Sequence, residues 1–386
     1  MSTLSRFFPS HTRSALLQQP FRLFFLGSAS FASLGMLSWS VFLHLGWLPT
    51  SSLPALLWHG HEMLFGFAGA LIAGFLLTAV GNWTGQATTT PASLILLFCV
   101  WLAARLAFLL PGLIPFGAAA IVDCAFFPLL AFSLARPILR SRNYRNLFVI
   151  PLLSAFALAD ILFCLGVAQL ITLSPYRVLF WVIDLLAVLM LTIGGRVIPF
   201  FTSRRFPGLA VWRKPWLERS VNGGAAILVV MDIILPDSFA FGILSLVVAV
   251  LALIRLSGWQ SWHVGREPML WVLHLGYLWL IAGLTLRGIA LLGGPLREIT
   301  ALHAITAGAL GSLAIGMMLR VAQGHTGRIL KANPAMICAF GLVSIAALLR
   351  VTDLPGLLSL AGLLWAAAFG ILLLVSLPIH LGRLRV

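Results

Sequence analysis

Two histidines and a glutamate stand together in Trp58-His59-Gly60-His61-Glu62, at the mouth of an apolar stretch that runs from Met63 to Val80. A strongly polar side chain entering lipid costs roughly 3 kcal/mol or more unless it is paired or bound to a metal, so these residues are candidates for chemistry. The chemistry open to imidazole beside carboxylate is metal or haem ligation, with the acid orienting the ring, or proton transfer. A third histidine, His303, opens another apolar stretch, and Arg105, Asp184 and Arg287 lie near ends of further ones. Asp123 and Asp160 fall inside apolar stretches, where a carboxyl must be protonated or paired to an arginine, and either could serve a proton path.

The elements that must position them follow from composition. Of the 386 residues, 61% are hydrophobic and 9% charged, too few to solvate a globular surface of that size. The chain reads as an all-α, polytopic membrane protein. Taking about 20 apolar residues as the length that crosses roughly 30 Å of hydrocarbon, about twelve transmembrane helices are expected. They lie near 21–45, 60–80, 92–110, 115–135, 148–172, 178–202, 219–236, 239–256, 269–291, 300–322, 333–350 and 356–379. No connection is long enough for a separate domain, so residues 1–386 read as one integral membrane domain.

Basic connections stay cytoplasmic. One side collects Arg136, Arg140, Arg142 and Arg145, then Arg204, Arg205, Arg213, Lys214 and Arg219, then Arg255 and Arg266, then Arg328 and Lys331. The other side offers Arg177 and Arg297. Both termini, with Arg6, Arg13, Arg383 and Arg385, then fall on the cytoplasmic side. The net charge of +15 thereby reflects topology in the bilayer, and no nucleic-acid partner is expected. The N-terminal segment lacks signal-peptide form and leads into the first helix. Cys99, Cys124, Cys164 and Cys338 are singly spaced and read as small core residues; the absence of CxxCH rules out covalent c-type haem.

A weak internal repeat joins 61–85 to 303–327. A shift of 242 positions lays His61, Gly66, Gly69, Leu71, Gly74, Thr84 and Gly85 on His303, Gly308, Gly311, Leu313, Gly316, Thr326 and Gly327. The sixth span joins more loosely, through Thr202 with Thr326 and Arg196 with Arg320. Spans two, six and ten would then head three pseudo-repeats of four helices.

Haem iron takes axial imidazoles from opposite sides, so His61 and His303 on separate helices suit non-covalent, b-type haem, with Arg105 and Arg287 neutralising propionates and Glu62 or Asp184 orienting the rings. His59 and His61 would point about 200° apart on a helix, whereas His59 and Glu62 share a face. Either His59 belongs to the preceding loop or it serves a second metal site. His325 lies about 33 Å from His303 along a helix and cannot share its metal. His274 reads as a packing residue, and Arg196 and Arg320 as cytoplasmic-end arginines.

Several motifs together resemble the NnrS family. They are Gln19-Pro20-Phe21-Arg22-Leu23-Phe24-Phe25-Leu26-Gly27, Trp58-His59-Gly60-His61-Glu62-Met63-Leu64-Phe65-Gly66-Phe67, Gly194-Gly195-Arg196-Val197-Ile198-Pro199-Phe200-Phe201-Thr202, Leu273-His274-Leu275-Gly276-Tyr277, Leu302-His303-Ala304-Ile305-Thr306-Ala307-Gly308 and Gly324-His325-Thr326-Gly327-Arg328. Gln19 stands where the family often has Arg. The resemblance implies a bacterial inner-membrane protein that binds haem, contains copper and serves the response to nitric oxide and nitrosative stress. Two functions stay open: reduction of nitric oxide to nitrous oxide at a haem site on the periplasmic side, with electrons from quinol or a periplasmic carrier, or non-enzymatic haem-based sensing or protection against iron-nitrosyl formation.

Overall fold

The computed structural model describes residues 15–48 and 51–382. The terminal arginines Arg6, Arg13, Arg383 and Arg385 lie outside the described residues. Among these residues the chain is helical, without strands, and its long rods follow the expected spans. We number them α1 Pro20–Leu45, α2 Ala55–Thr84, α3 Pro91–Phe108, α4 Phe116–Arg140, α5 Val149–Val167, α6 Pro175–Arg205, α7 Pro215–Ile234, α8 Phe239–Ser257, α9 Pro268–Leu291, α10 Glu298–Gly324, α11 Pro334–Val351 and α12 Pro355–Leu381. Eleven of the described helices are long and apolar enough to cross a bilayer. The one that falls short is α7, because any membrane-length stretch of its 20 residues includes Glu218, Arg219 and Asp232.

Local sequence explains where these rods start. Proline stands at the first turn of α1, α3, α7, α9 and α11, where its missing N–H removes no helical hydrogen bond. Thr90 caps α3 through the Ser93 amide, with Ser93 returning a bond to the Thr90 N–H, and Ser238 and Asn333 cap α8 and α11.

The chain divides into two compact units. Unit 1 comprises residues 1–179, 321–329 and 369–386; unit 2 comprises 180–320 and 330–368. In unit 1 the Arg22 guanidinium donates to the carbonyls of His380 (2.8 Å) and Gly382 (2.7 Å), a cation set on the C-terminal end of α12 where the helix dipole is negative. In unit 2, Trp365 of α12 donates its indole N–H to the Ala307 carbonyl at 3.2 Å.

Two rods change period midway. Within α2 the α-helix of Ala55–His61 gives way to a π-helix over Glu62–Phe67, and within α10 that of Glu298–His303 gives way to one over Ala304–Leu310. Each π segment thus begins one residue after the histidine. Gly85 and Gly327, which follow these rods 24 residues after His61 and His303, both hold positive φ, 65° and 70°. Short π segments inside α-helices frequently mark functional positions, since the extra residue re-aims side chains and loosens the carbonyl ladder.

Candidate functional site

The π turn of α2 presents His61 and Glu62 to three neighbouring helices. Gly66 makes the approach of α3 close: a Cβ there would stand 2.7 Å from the Phe31 ring and 3.1 Å from Arg105 Nη1. The Gly66 carbonyl accepts the Trp101 indole N–H at 2.9 Å, so the turn remains satisfied in the dry interior. Gly66→Ala is expected to push Arg105 and Phe31 aside and to cost about 1–3 kcal/mol. Unfolding in mixed detergent micelles, followed by tryptophan fluorescence, measures this; an unchanged midpoint would mean that Arg105 has room to shift.

Four successive helices then contribute one ionic cluster. Arg105 on α3 donates from Nη1 to Glu62 Oε1 at 2.8 Å and from Nη2 to Asp123 Oδ1 on α4. Glu62 Oε1 also lies 3.1 Å from His61 Nδ1. The other ring nitrogen, His61 Nε2, faces Asp123 Oδ2 at 2.9 Å and Asp160 Oδ1, from α5, at 3.4 Å. The His61 ring stacks on Phe163 (4.7 Å between centroids), leans on Phe65 (4.9 Å) and meets the edge of Phe108 (5.2 Å). All five polar side chains are buried, His61 at 0% exposure. Arg105 therefore neutralises carboxylates of its own chain.

Unit 2 carries a second cluster. Arg287 on α9 binds Asp184 of α6, Asp232 of α7 at 3.2 Å and Glu298 at the start of α10 at 2.8 Å, with its guanidinium 4.5 Å from the Phe241 ring centroid. Arg255 of α8 forms another nearby set, donating to Tyr277 Oη, to the Leu191 carbonyl at 2.8 Å and to Glu218 at 3.3 Å.

The remaining candidate residues are placed as follows. His303 is half-buried, and its Nδ1–H donates to the Ile299 carbonyl at 2.8 Å, which leaves Nε2 with the lone pair. His59 stacks on Trp39, with ring centroids 4.3 Å apart and planes 9° apart. His59 lies in the helical turn of Ala55–His61 and not in the preceding loop, and Glu62 holds His61 and Arg105. His274 sits between Thr202 Oγ1 (3.0 Å) and Ser261 Oγ (2.8 Å), a hydrogen-bonded packing residue. His325 is exposed, 5.9 Å from the Phe21 ring centroid. Arg320 lies over the Phe201 ring at 4.0 Å, and Arg196 is half-buried near the end of α6.

Three residues outside the expected site become visible only in three dimensions. Asp232 joins Arg287. Cys124 and Cys164 bring their sulfurs within 4.8 Å of each other and of an Asp160 oxygen. Cys124 directly follows Asp123 and Cys164 lies one turn beyond Asp160, so the acids carry the thiols with them; nothing in their distant spacing along the chain marks the pair.

As packed, the His61 site does not fit haem. Two carboxylates stand in front of Nε2 and a third holds Nδ1, leaving no open face for a macrocycle, while the Arg105 and Arg287 guanidiniums are already occupied by acids. His303 does keep the orientation that an iron ligand needs, with Nδ1–H fixed by a carbonyl and Nε2 left for metal.

An all-helical chain with many membrane-length apolar rods and arginine–carboxylate clusters in its dry interior is a multi-pass membrane protein. The profile of the NnrS family, described as NnrS protein, matches residues 15–383. The chain belongs to the NnrS family. Comparison with curated protein sequences gave no match.

Proposed function

We propose that this protein removes nitric oxide at the bacterial cytoplasmic membrane, with both termini cytoplasmic, by reducing it to nitrous oxide at a b-type haem bound through His303. Family membership supports a role in the nitric oxide response. The observation that carries the site is the His303 ring itself: its Nδ1–H is committed to Ile299 O at 2.8 Å, which orients Nε2 as a donor. A haem held there by one protein ligand would supply a ferrous iron with an exchangeable position for nitric oxide. The residues around it have simpler tasks. Ile299 fixes the tautomer, and Leu302, Ala304 and Ile305, all buried, exclude water around the ligand turn. Conversion of two nitric oxide molecules to nitrous oxide and water consumes two electrons and two protons, the electrons coming from quinol or a periplasmic carrier.

The test is anaerobic nitric oxide consumption by purified protein with a reductant, with nitrous oxide measured as product. Metal analysis of the same sample counts haem iron and copper. Turnover well above that of free haem is expected; a rate no higher would favour non-enzymatic sensing or protection. His303→Ala is expected to lose the haem absorption band, whereas His61→Asn retains it. Loss of haem from His61→Asn with full occupancy in His303→Ala would overturn the assignment.

A further inference from the structure

The His61 cluster has a geometry and a charge that the nitric oxide reading does not use. Glu62, Asp123 and Asp160 bring three carboxylates against one guanidinium, all within a few percent of complete burial. With a neutral imidazole, two negative charges are left without compensation in a region where an unbalanced charge costs several kcal/mol. A divalent cation supplies the missing charge.

The donor atoms are arranged for one. Arg105 holds Asp123 by Oδ1 alone. The other oxygen, Oδ2, is buried and accepts no hydrogen bond, and it points at His61 Nε2 from 2.9 Å. Asp160 Oδ1 faces the same nitrogen from 3.4 Å. Two donors each about 2.1 Å from a metal stand about 3.0 Å apart at a right angle and about 3.4 Å apart at a tetrahedral one. His61 Nε2 thus stands from each aspartate oxygen at the separation of neighbouring ligands on a single small ion, and one donor atom from each of His61, Asp123 and Asp160 lies within 4.8 Å of the other two. The surroundings complete the arrangement, since Glu62 stands at Nδ1, 3.1 Å away, as the carboxylate does in the carboxylate–histidine–metal pattern. Arg105 steadies both Glu62 and Asp123 from behind. The same two aspartates that block a macrocycle would be the ligands of a bare ion.

We propose that His61 Nε2, Asp123 Oδ2 and Asp160 Oδ1 bind one divalent first-row transition-metal ion of the zinc or ferrous class, separate from any haem. One imidazole and two carboxylates select against magnesium and calcium, which favour all-oxygen shells. Cys124 and Cys164 bring their sulfurs near Asp160 but outside the proposed coordination shell.

The experiment loads detergent-purified full-length protein with Zn2+ or, in parallel, Co2+, removes unbound metal, and counts metal per chain. Wild type is expected to retain about one ion. Asp123→Asn and Asp160→Asn, which preserve side-chain shape, are expected to retain less than a tenth of that. Glu62→Gln should weaken retention by about 10–100-fold, the usual effect of losing an orienting acid. X-ray absorption at the metal edge of the wild-type sample should show nitrogen and oxygen neighbours without sulfur, so the proposal remains testable if the asparagine variants do not fold. Wild type holding no more metal than the Asp123→Asn, Asp160→Asn double variant would overturn it, leaving the cluster as an imidazolium–carboxylate network. Sulfur neighbours would overturn it in favour of the thiol pair. Haem absorbance recorded on the same samples keeps the two sites apart: His303→Ala should lose haem and retain the ion.

Discussion

Arg105→Met is expected to be the most damaging single substitution in unit 1, lowering stability by about 3–5 kcal/mol, the usual cost of breaking a buried ion pair from one side. The methionine fills much of the space but leaves Glu62 and Asp123 without a guanidinium, in a cluster where no acid is more than 4% exposed. Lysine does not substitute well, because the planar fork reaches acids on two helices at once and a point ammonium cannot. The measurement is the midpoint of unfolding in mixed micelles. Adding Asp123→Asn to Arg105→Met should recover part of the loss, since one uncompensated charge is then removed; the coupling between the two sites is read from the double-mutant cycle. Equal midpoints for Arg105→Met and wild type would show that the ionic cluster does not hold α2, α3 and α4 together.

In unit 2, Arg287→Met is expected to cost about 3 kcal/mol, at the lower end of the same range. It removes the guanidinium from three acids, Asp184, Asp232 and Glu298, where Arg105→Met removes it from two. Glu298 is 17% exposed, however, and water at that end of α10 can solvate it once the guanidinium is gone. The order of the two effects, Arg105→Met worse than Arg287→Met, therefore follows from exposure rather than from the number of pairs. Asp184→Asn in the Arg287→Met background should restore more than Glu298→Gln does, because Asp184 is the drier acid. The opposite ranking would mean that the relevant charge balance in unit 2 is set at the Glu298 end.

Much of the architecture was legible in the sequence because bilayer thickness imposes one length on every rod. Runs of about 20 apolar residues have little choice but helix, and the rods follow the expected boundaries closely. The exception in apolarity, α7, shows the limit of hydropathy: Asp232 is paired with an arginine from α9, and composition alone does not reveal that pairing. Individual polar residues were also legible as conspicuous, since Asp123 and Asp160 in apolar stretches demand a partner. Which partner was not. Arg105 and Asp123 are 18 positions apart, on antiparallel neighbours joined by a short loop, whereas Asp160 reaches His61 across 99 positions.

By itself the sequence determined the class of protein, its helices and, through its motifs, its family. The tertiary structure decided which charges meet. Helical periodicity predicts faces only while the period holds, and it changes at Glu62 and at Ala304, the residues that follow the two key histidines. Beyond those turns, the packing of four helices around His61 sets its neighbours, so a ring that spacing alone suited to haem lies among carboxylates spaced for a small ion.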